Sequence, residues 1–214
     1  MAESLIRTTI TDGVLTVTIN RSEKANSLTP DMLIQLRDLF GGVVKDHTVR
    51  TVIITGAGDR VFCGGADLNT LHDDQPGSDL WLDMTQALRN VSVPTVSAIN
   101  GPCIGGGLTL ALACDMRFSV PEARFFYPVL KNNILPGQYD VDRLHSLIGP
   151  GRTSMLLLSG VEVSSEEALS WGLVDRLVNR ESLIESCHAF SEVPSISDSE
   201  HLKAIKSMLA ASLS

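Results

Sequence analysis

Asn100-Gly101-Pro102-Cys103-Ile104-Gly105-Gly106-Gly107 runs straight into Leu108-Thr109-Leu110-Ala111-Leu112-Ala113-Cys114. This join of a glycine triplet to an apolar helix decides the reading of the chain. It follows Thr95–Ile99, a short run that reads as a buried strand. A helix that opens on glycines leaves its first N–H groups unpaired, and a ligand can approach that backbone closely. An earlier passage repeats the arrangement. Val49–Thr55, β-branched and unalternated, reads as a buried parallel strand and leads through Gly56-Ala57-Gly58-Asp59-Arg60 to Phe62-Cys63-Gly64-Gly65-Ala66-Asp67.

Working outward, Leu5–Ile10 and Val14–Ile19 flank Asp12-Gly13 and predict a hairpin, with Leu15, Val17 and Ile19 on the core face. Thr29-Pro30-Asp31 predicts a helix start, and Leu33, Leu36, Phe40 and Val43 give that helix its apolar face. Asp79–Asn90 reads as a helix and Met116–Ser119 as a strand. Further helices are expected near Arg143–Ile148, Gly151–Ser159 and Ser164–Trp171, the last with a Ser164/Glu167 capping box and a terminating Gly172. Val174–Val178 reads as a final strand, and Ser/Pro-rich Glu192–Ser199 as a linker into a terminal helix, His201–Leu213. Strands alternating with helices argue an α/β fold.

The 214 residues, 43% hydrophobic and 20% charged, suffice for one large domain with a sizeable core. A net charge of −8 with no basic stripe, and only 5% aromatics, argue against a nucleic-acid partner. Cys63, Cys103, Cys114 and Cys187 form no CxxC pair or Cys/His cluster, so neither a metal site nor a disulfide scaffold is expected. Reduced thiols, no signal-peptide pattern in MAESLIRTT and no apolar run near ~20 residues point to a cytoplasmic protein without a membrane partner.

Dinucleotide binding is the first function the glycine loops raise, and they fail its pattern. Gly56-x-Gly58 is followed by Val61, and Gly105-x-Gly107 by Leu110, where a third glycine is required. No Walker lysine follows either loop. Two glycine loops converging their N–H groups would instead make an oxyanion hole for an enolate or tetrahedral intermediate. The competing reading is close strand-to-helix packing with no ligand.

The chain resembles the crotonase (enoyl-CoA hydratase/isomerase) superfamily in several ordered motifs. Asn20-Arg21-Ser22-Glu23-Lys24-Ala25-Asn26-Ser27-Leu28 resembles its N-R-P-x-x-x-N-A-L segment, Phe62–Leu68 its F-C-x-G-A-D-L loop, and Asn100–Gly107 its N-G-x-x-x-G-G-G turn. Cys114-Asp115-Met116-Arg117, Leu158-Ser159-Gly160, Ala168 and Gly172-Leu173-Val174 continue the match in order. The resemblance implies a spiral of repeated ββα units over residues 1–191 with a short C-terminal helical segment, 192–214. It also implies homotrimers or dimers of trimers, and an acyl-CoA or acyl-carrier-protein thioester as substrate. No cofactor is implied beyond coenzyme A as a carrier. Carried over, the oxyanion donors are the N–H groups of Ala66 and Gly106. Lys24, Ala25, Gly64, Gly65, Asp67, Leu68, Gly105, Thr109 and Val129 are the expected substrate-binding positions.

Hydratases of the family use two glutamates as acid and base. At the corresponding positions stand Thr109 and Val129. Ordinary hydration is therefore not expected, and the alternatives are atypical hydratase/isomerase-type chemistry, decarboxylation or hydrolysis, or a non-catalytic binding or scaffold subunit. Ionisable candidates are Asp67, His72, Asp73 and Asp74 on one loop, and Tyr139, Asp140 and Asp142 after Pro136-Gly137. Asp140 is favoured as the acid or base, against the competing reading of a solvated turn acid. Trp81 and Tyr127 are candidates to line an acyl pocket, while His145 reads as packing or surface. Lys24, Arg21 and Arg60 are the candidate phosphate partners, because Leu68-Asn69-Thr70 carries no charge. The chain ends soon after Leu183–Leu213, where family members add a further helical region, so a pared-down lid is expected.

Overall fold

The computed structural model describes residues 4–70 and 77–211. Strands β1 (Ile6–Thr11) and β2 (Val14–Ile19) form the expected hairpin, antiparallel with Thr11 opposite Val14. Asp12 and Gly13 both turn with positive φ, 50° and 77°, which is the twist a two-residue hairpin turn requires. Leu15, Val17 and Ile19 face the core, while β1 is an exposed edge strand after Ile6. Helix α1 (Pro30–Val43) starts where the sequence places it: the Thr29 hydroxyl accepts from the Met32 N–H at 3.3 Å. It buries Met32, Leu33, Leu36, Phe40 and Val43. Truncating the fully buried Phe40 to alanine would cost about 3–5 kcal/mol.

Strands β3 (Thr51–Gly56), β4 (Thr95–Ile99) and β6 (Met116–Ser119) continue the sheet in parallel, and β9 (Arg176–Leu177) closes it. Among the described residues its order is β1-β2-β3-β4-β6-β9. Every residue of β3 and β4 is buried, as strands covered on both faces must be. A second, smaller sheet holds β5 (Cys103–Ile104), β7 (Arg124–Phe126) and β8 (Val163–Ser164). Isolated bridges extend it, pairing Cys63 with Cys103 and Leu28 with Ala66. Each turn of the spiral thus gives a long strand to the large sheet, a short extended piece to the small one, and then a helix. Those helices are α2 (Gly77–Arg89), α3 (Gly106–Leu112) and α4 (Gln138–Ser154). The small sheet matters for function, because its pieces carry the two glycine loops. Its two- and three-residue strands are too short to show periodicity in the sequence.

The two helices expected at Arg143–Ile148 and Gly151–Ser159 meet at a kink within α4, where Gly149, with φ 77° and ψ 168°, is non-helical. The first starts earlier than expected, at Gln138, and stops at Gly149; Pro150 then opens the second, where its missing N–H costs nothing. It passes into a π turn, Met155–Ser159. Helix α5 (Ser165–Trp171) has the expected capping box of Ser164 and Glu167, and Gly172 ends it with φ 83°. The final strand is shorter than Val174–Val178.

After α6 (Leu183–Phe190), the expected linker Glu192–Ser199 is mostly helical: α7 spans Glu192–Ile196, and α8 begins at Ser199 and runs to Ala211. Pro194 falls in the first turn of α7, where the missing N–H costs nothing. The far end is secured from another part of the fold. Arg50 donates to the Pro194 carbonyl, at 2.8 Å from Nη2, and to that of Ser197. Asp198 starts α8 by accepting from the Glu200 and His201 N–H groups. Lys206 then ties α8 down through Asp115 at 2.5 Å and the Val93 carbonyl at 2.8 Å. Among the described residues no helix is long and apolar enough to cross a membrane.

Candidate active site

The loops at 63–67 and 103–107 lie against each other. Ile104 N–H donates to the Cys63 carbonyl at 3.0 Å. A Cβ on Gly65, whose φ is +87°, would stand 2.9 Å from the Gly106 nitrogen and 2.8 Å from the Ile104 oxygen. A Cβ on Gly107 would fall 2.3 Å from the Cys63 oxygen. Only glycines allow this approach. Most backbone donors here are used: Gly64 N–H bonds the Ala25 carbonyl at 2.9 Å, Asp67 that of Leu28 at 2.9 Å, and Gly105 that of Phe126 at 3.0 Å. Among the described residues the N–H groups of Ala66, Gly106 and Gly107 donate to no acceptor. Gly107 is buried, whereas Ala66 and Gly106 are partly open. Gly106 opens α3, so its N–H also carries the positive end of that helix.

The segment 20–28 braces the first loop. Ala25 and Asn26 both hold left-handed backbone, φ 52° and 53°, a conformation that costs a non-glycine residue about 1 kcal/mol or more. The Asn26 side chain offsets this, bonding Arg21 N–H at 3.0 Å and the carbonyls of Ala57 and Val61 at 3.0 and 2.8 Å. Arg21 pairs with Asp67 at 2.7 Å, and Asn69 adds two further donors to the same carboxylate. Arg21 and these donors hold the Asp67 carboxyl below the usual carboxylate range. Arg21 and Asp67 are therefore engaged in bracing the loop. Lys24, Ala25, Arg60 and Leu68 are exposed. Arg60 lines a cavity of about 200 Å³ with Ser22, Glu23, Asn26 and 57–61, and none of the glycine-loop residues 64–66 or 105–107 belongs to it.

Trp81, on α2, closes one side of the glycine triplet. A Cβ on Gly106 would lie 2.3 Å from its Cη2 and 2.7 Å from its Cζ2, so the indole rests directly on the Gly106 backbone. Thr109 stands on the first turn of α3, three residues after Gly106 and about one turn along the same face.

Asp140 is no solvated turn acid. It lies in the first turn of α4 at 2% exposure, because the helix starts earlier than the sequence pattern suggests. Its Oδ2 accepts from Thr109 Oγ1 at 2.6 Å and from the Tyr127 hydroxyl at 2.5 Å. Thr109 and Tyr127 are themselves 2.7 Å apart, and both are buried, at 8% and 5% exposure. Burial pushes the Asp140 carboxyl above its ordinary value against the pull of the two hydroxyl donors, and it pushes the Tyr127 phenol up as well. Val129 is buried and offers no ionisable group.

The structure thus brings Thr109 and Asp140 together, and adds Tyr127 to them as a polar partner. The sequence could have flagged Tyr127 only through its hydroxyl, since its ring looks like any core aromatic. Tyr139 packs elsewhere, under Arg89 at 3.8 Å, and donates to the Leu112 carbonyl at 3.2 Å. His145 and Asp142 are exposed. His72, Asp73 and Asp74 lie outside the described residues.

The family model described as Enoyl-CoA hydratase/isomerase matches residues 9–214 of the chain. The chain belongs to the enoyl-CoA hydratase/isomerase family. It is 33% identical over 178 residues to the probable enoyl-CoA hydratase echA6 of Mycobacterium leprae (strain TN), an alignment covering 81% of this chain and 71% of that one. Its fold is similar to that of an enoyl-CoA hydratase from Bacillus anthracis, with a TM-score of 0.92 at 30% identity, covering 97% of this chain and 83% of the other. A probable enoyl-CoA hydratase/isomerase from Mycobacterium abscessus superposes with a TM-score of 0.89 at 33% identity, covering 98% and 83%. The hydratase/isomerase family therefore supplies the fold, a crotonase α/β spiral, and identifies the chain as one of its enzymes.

Proposed function

We propose that this enzyme of the hydratase/isomerase family binds an acyl thioester and stabilises an enolate or oxyanion through the N–H groups of Ala66 and Gly106. The observation that carries the reading is that these two partly open donors are left unpaired on loops whose glycines hold them against each other. Aimed at developing negative charge, one such donor contributes about 3–4 kcal/mol to the transition state. Asp140 is the proton-holding group. With Thr109 and Val129 where hydratases carry glutamates, the reaction is atypical hydratase/isomerase-type chemistry, or decarboxylation or hydrolysis, rather than ordinary water addition.

The carrier is coenzyme A or an acyl-carrier protein, and no further cofactor is required. Lys24 and Arg60, exposed and without an internal ion pair among the described residues, are the groups to meet its phosphates. A net charge of −8 steers an anionic carrier poorly from a distance, so such local contacts must hold it. The protein works in the cytoplasm as a homotrimer or dimer of trimers, with residues 1–191 as its spiral core.

A panel of acyl-CoA and carrier-protein thioesters, followed by mass spectrometry, tests the reading. It expects at least one thioester to be converted by the wild-type protein, and conversion to be lost in Asp140→Asn. A panel left unchanged by a protein that still binds thioesters would support a scaffold subunit and overturn the enzymatic reading.

A further inference from the structure

Thr109 Oγ1, the Tyr127 hydroxyl oxygen and Asp140 Oδ2 form a closed triangle with edges of 2.6, 2.7 and 2.5 Å. Each edge is short enough to require a hydrogen between its oxygens. With Asp140 ionised, the two hydroxyls supply only two hydrogens for the three edges, and both point at the carboxylate. The Thr109–Tyr127 edge then holds two oxygens in contact with no hydrogen between them. Adding one proton to Asp140 completes the ring, with each oxygen donating once and accepting once. All three groups are buried, so water does not substitute for the missing hydrogen at that edge. The ring thus has a geometric reason to take up a proton. Burial acts in the same direction on Asp140, while the N-terminus of α4 opposes it.

The ring also adjoins the helix that carries Gly106. Thr109 is the only member of the triangle on α3, the helix that opens at Gly106, and follows Gly106 by three residues, about one turn along the same face. Asp140 and Tyr127 meet its hydroxyl from α4 and from the segment after β7.

We infer that Thr109, Tyr127 and Asp140 act as a single proton-holding unit that exchanges a proton with the α-carbon of the bound thioester through the Thr109 hydroxyl. The inference rests on the oxyanion reading above and extends it. In the forward step the Cα–H bond breaks and its electron pair forms the enolate C=C. The carbonyl π pair moves onto the oxygen held by Ala66 and Gly106. The proton goes to Thr109 Oγ1 while the Thr109 proton passes to Asp140 Oδ2. Reversal returns a proton from Asp140 to the same carbon by the same route. Thr109 is the catalytic residue. Asp140 is its proton store, and Tyr127 a positioning residue that sets the proton affinity of the store. A unit holding one proton serves reactions that move a proton at one carbon, such as enolate protonation or a double-bond shift.

The test is α-proton exchange of butyryl-CoA in D2O, followed by NMR across a pH series, with acetoacetyl-CoA binding measured in parallel as a report on the oxyanion site. Wild type is expected to incorporate deuterium at the α-carbon. Thr109→Val, which keeps the side-chain shape and removes the hydroxyl, is expected to lower exchange about 100-fold or more, and Thr109→Ser to restore most of it. Asp140→Asn is expected to lose exchange. Tyr127→Phe removes both a donor to the carboxylate and the Thr109–Tyr127 edge that lacks a hydrogen when Asp140 is ionised, and is expected to move the midpoint of the pH profile. None of these changes should abolish acetoacetyl-CoA binding.

Exchange by Thr109→Val at the wild-type rate would overturn the inference. So would an unchanged pH midpoint in Tyr127→Phe, or no exchange by a wild-type protein that binds acetoacetyl-CoA. Failure of wild type to bind acetoacetyl-CoA would instead remove the oxyanion reading on which the inference stands. Thr109→Ala, which also removes the hydroxyl and adds no bulk, keeps the test usable if the buried valine impairs folding: wild-type exchange there would equally overturn the inference.

Discussion

Replacing Gly106 by alanine keeps the N–H of the triplet and adds one methyl group, directed at Trp81. That methyl carbon would lie 2.3, 2.7 and 2.9 Å from three carbons of the indole six-membered ring. Ordinary carbon–carbon contact is about 3.5 Å or more, so the ring must retreat by about 1 Å. Forced displacement of this kind costs about 1–3 kcal/mol. For a chain of this length each kcal/mol lowers Tm by about 2–4 °C, so Gly106→Ala is expected to melt about 2–12 °C below wild type.

The same substitution in a Trp81→Ala background should behave differently. With the ring gone the methyl meets no indole, and alanine in the first turn of α3 gains up to about 1 kcal/mol of helix propensity over glycine. Urea denaturation of the four proteins closes a double-mutant cycle. The expected result is Gly106→Ala destabilising beside Trp81 and neutral or stabilising without it. Equal costs in both backgrounds, within about 0.5 kcal/mol, would show that Trp81 does not rest on Gly106 and would refute the picture of the site's wall.

Crotonyl-CoA hydration should stay near background, because Thr109 and Val129 offer no pair of carboxyls to add water across a double bond; a robust rate in a coupled absorbance assay would contradict that reading. Asp140 binds its proton more tightly in the fold than unfolded, so its stabilising contribution is fully present below about pH 3.9 and is lost as pH rises through the raised folded value. Asp140→Asn lacks this titration. The stability of wild type relative to Asp140→Asn should therefore fall with rising pH in urea titrations, and a pH-independent difference would count against a raised Asp140. All four cysteines are buried, with burial pushing the Cys63 thiol up to about 12 and that of Cys114 to about 11. Ellman's reagent should label none of them in the native protein and four after denaturation; rapid native labelling would contradict that burial.

The hairpin, α1, α5 and the glycine loops were legible in the sequence because each carries a local chemical signal. Asp12-Gly13 sets a turn, Thr29-Pro30 a helix start, and Ser164 with Glu167 a capping box. What the sequence did not reveal depends on partners far along the chain. Glu192–Ile196 reads as a Ser/Pro-rich linker, yet Arg50 holds the carbonyls at its end, 144 residues away. Asp140 reads as a turn acid, because the two hydroxyls that receive its side chain come 31 and 13 residues earlier on other elements. Thr109 taken alone is a poor base. Beside Asp140 it is part of a hydrogen-bonded network that can hold a proton, and only the fold joins the two.

Binding of acetoacetyl-CoA, an enolate mimic, to Gly106→Ala and Gly106→Pro tests the oxyanion site most directly. Both variants place carbon against Trp81, and proline is tolerated in the first turn of a helix, so the two differ in the backbone N–H and in the ring Cδ that takes the place of its hydrogen. A hydrogen bond to a charged group contributes about 1.5–3 kcal/mol and the proline Cδ adds a steric block, so calorimetry is expected to show Gly106→Pro binding at least about 10-fold more weakly than Gly106→Ala. Equal affinities would mean that the Gly106 N–H holds no oxyanion, and the account of this site would fail.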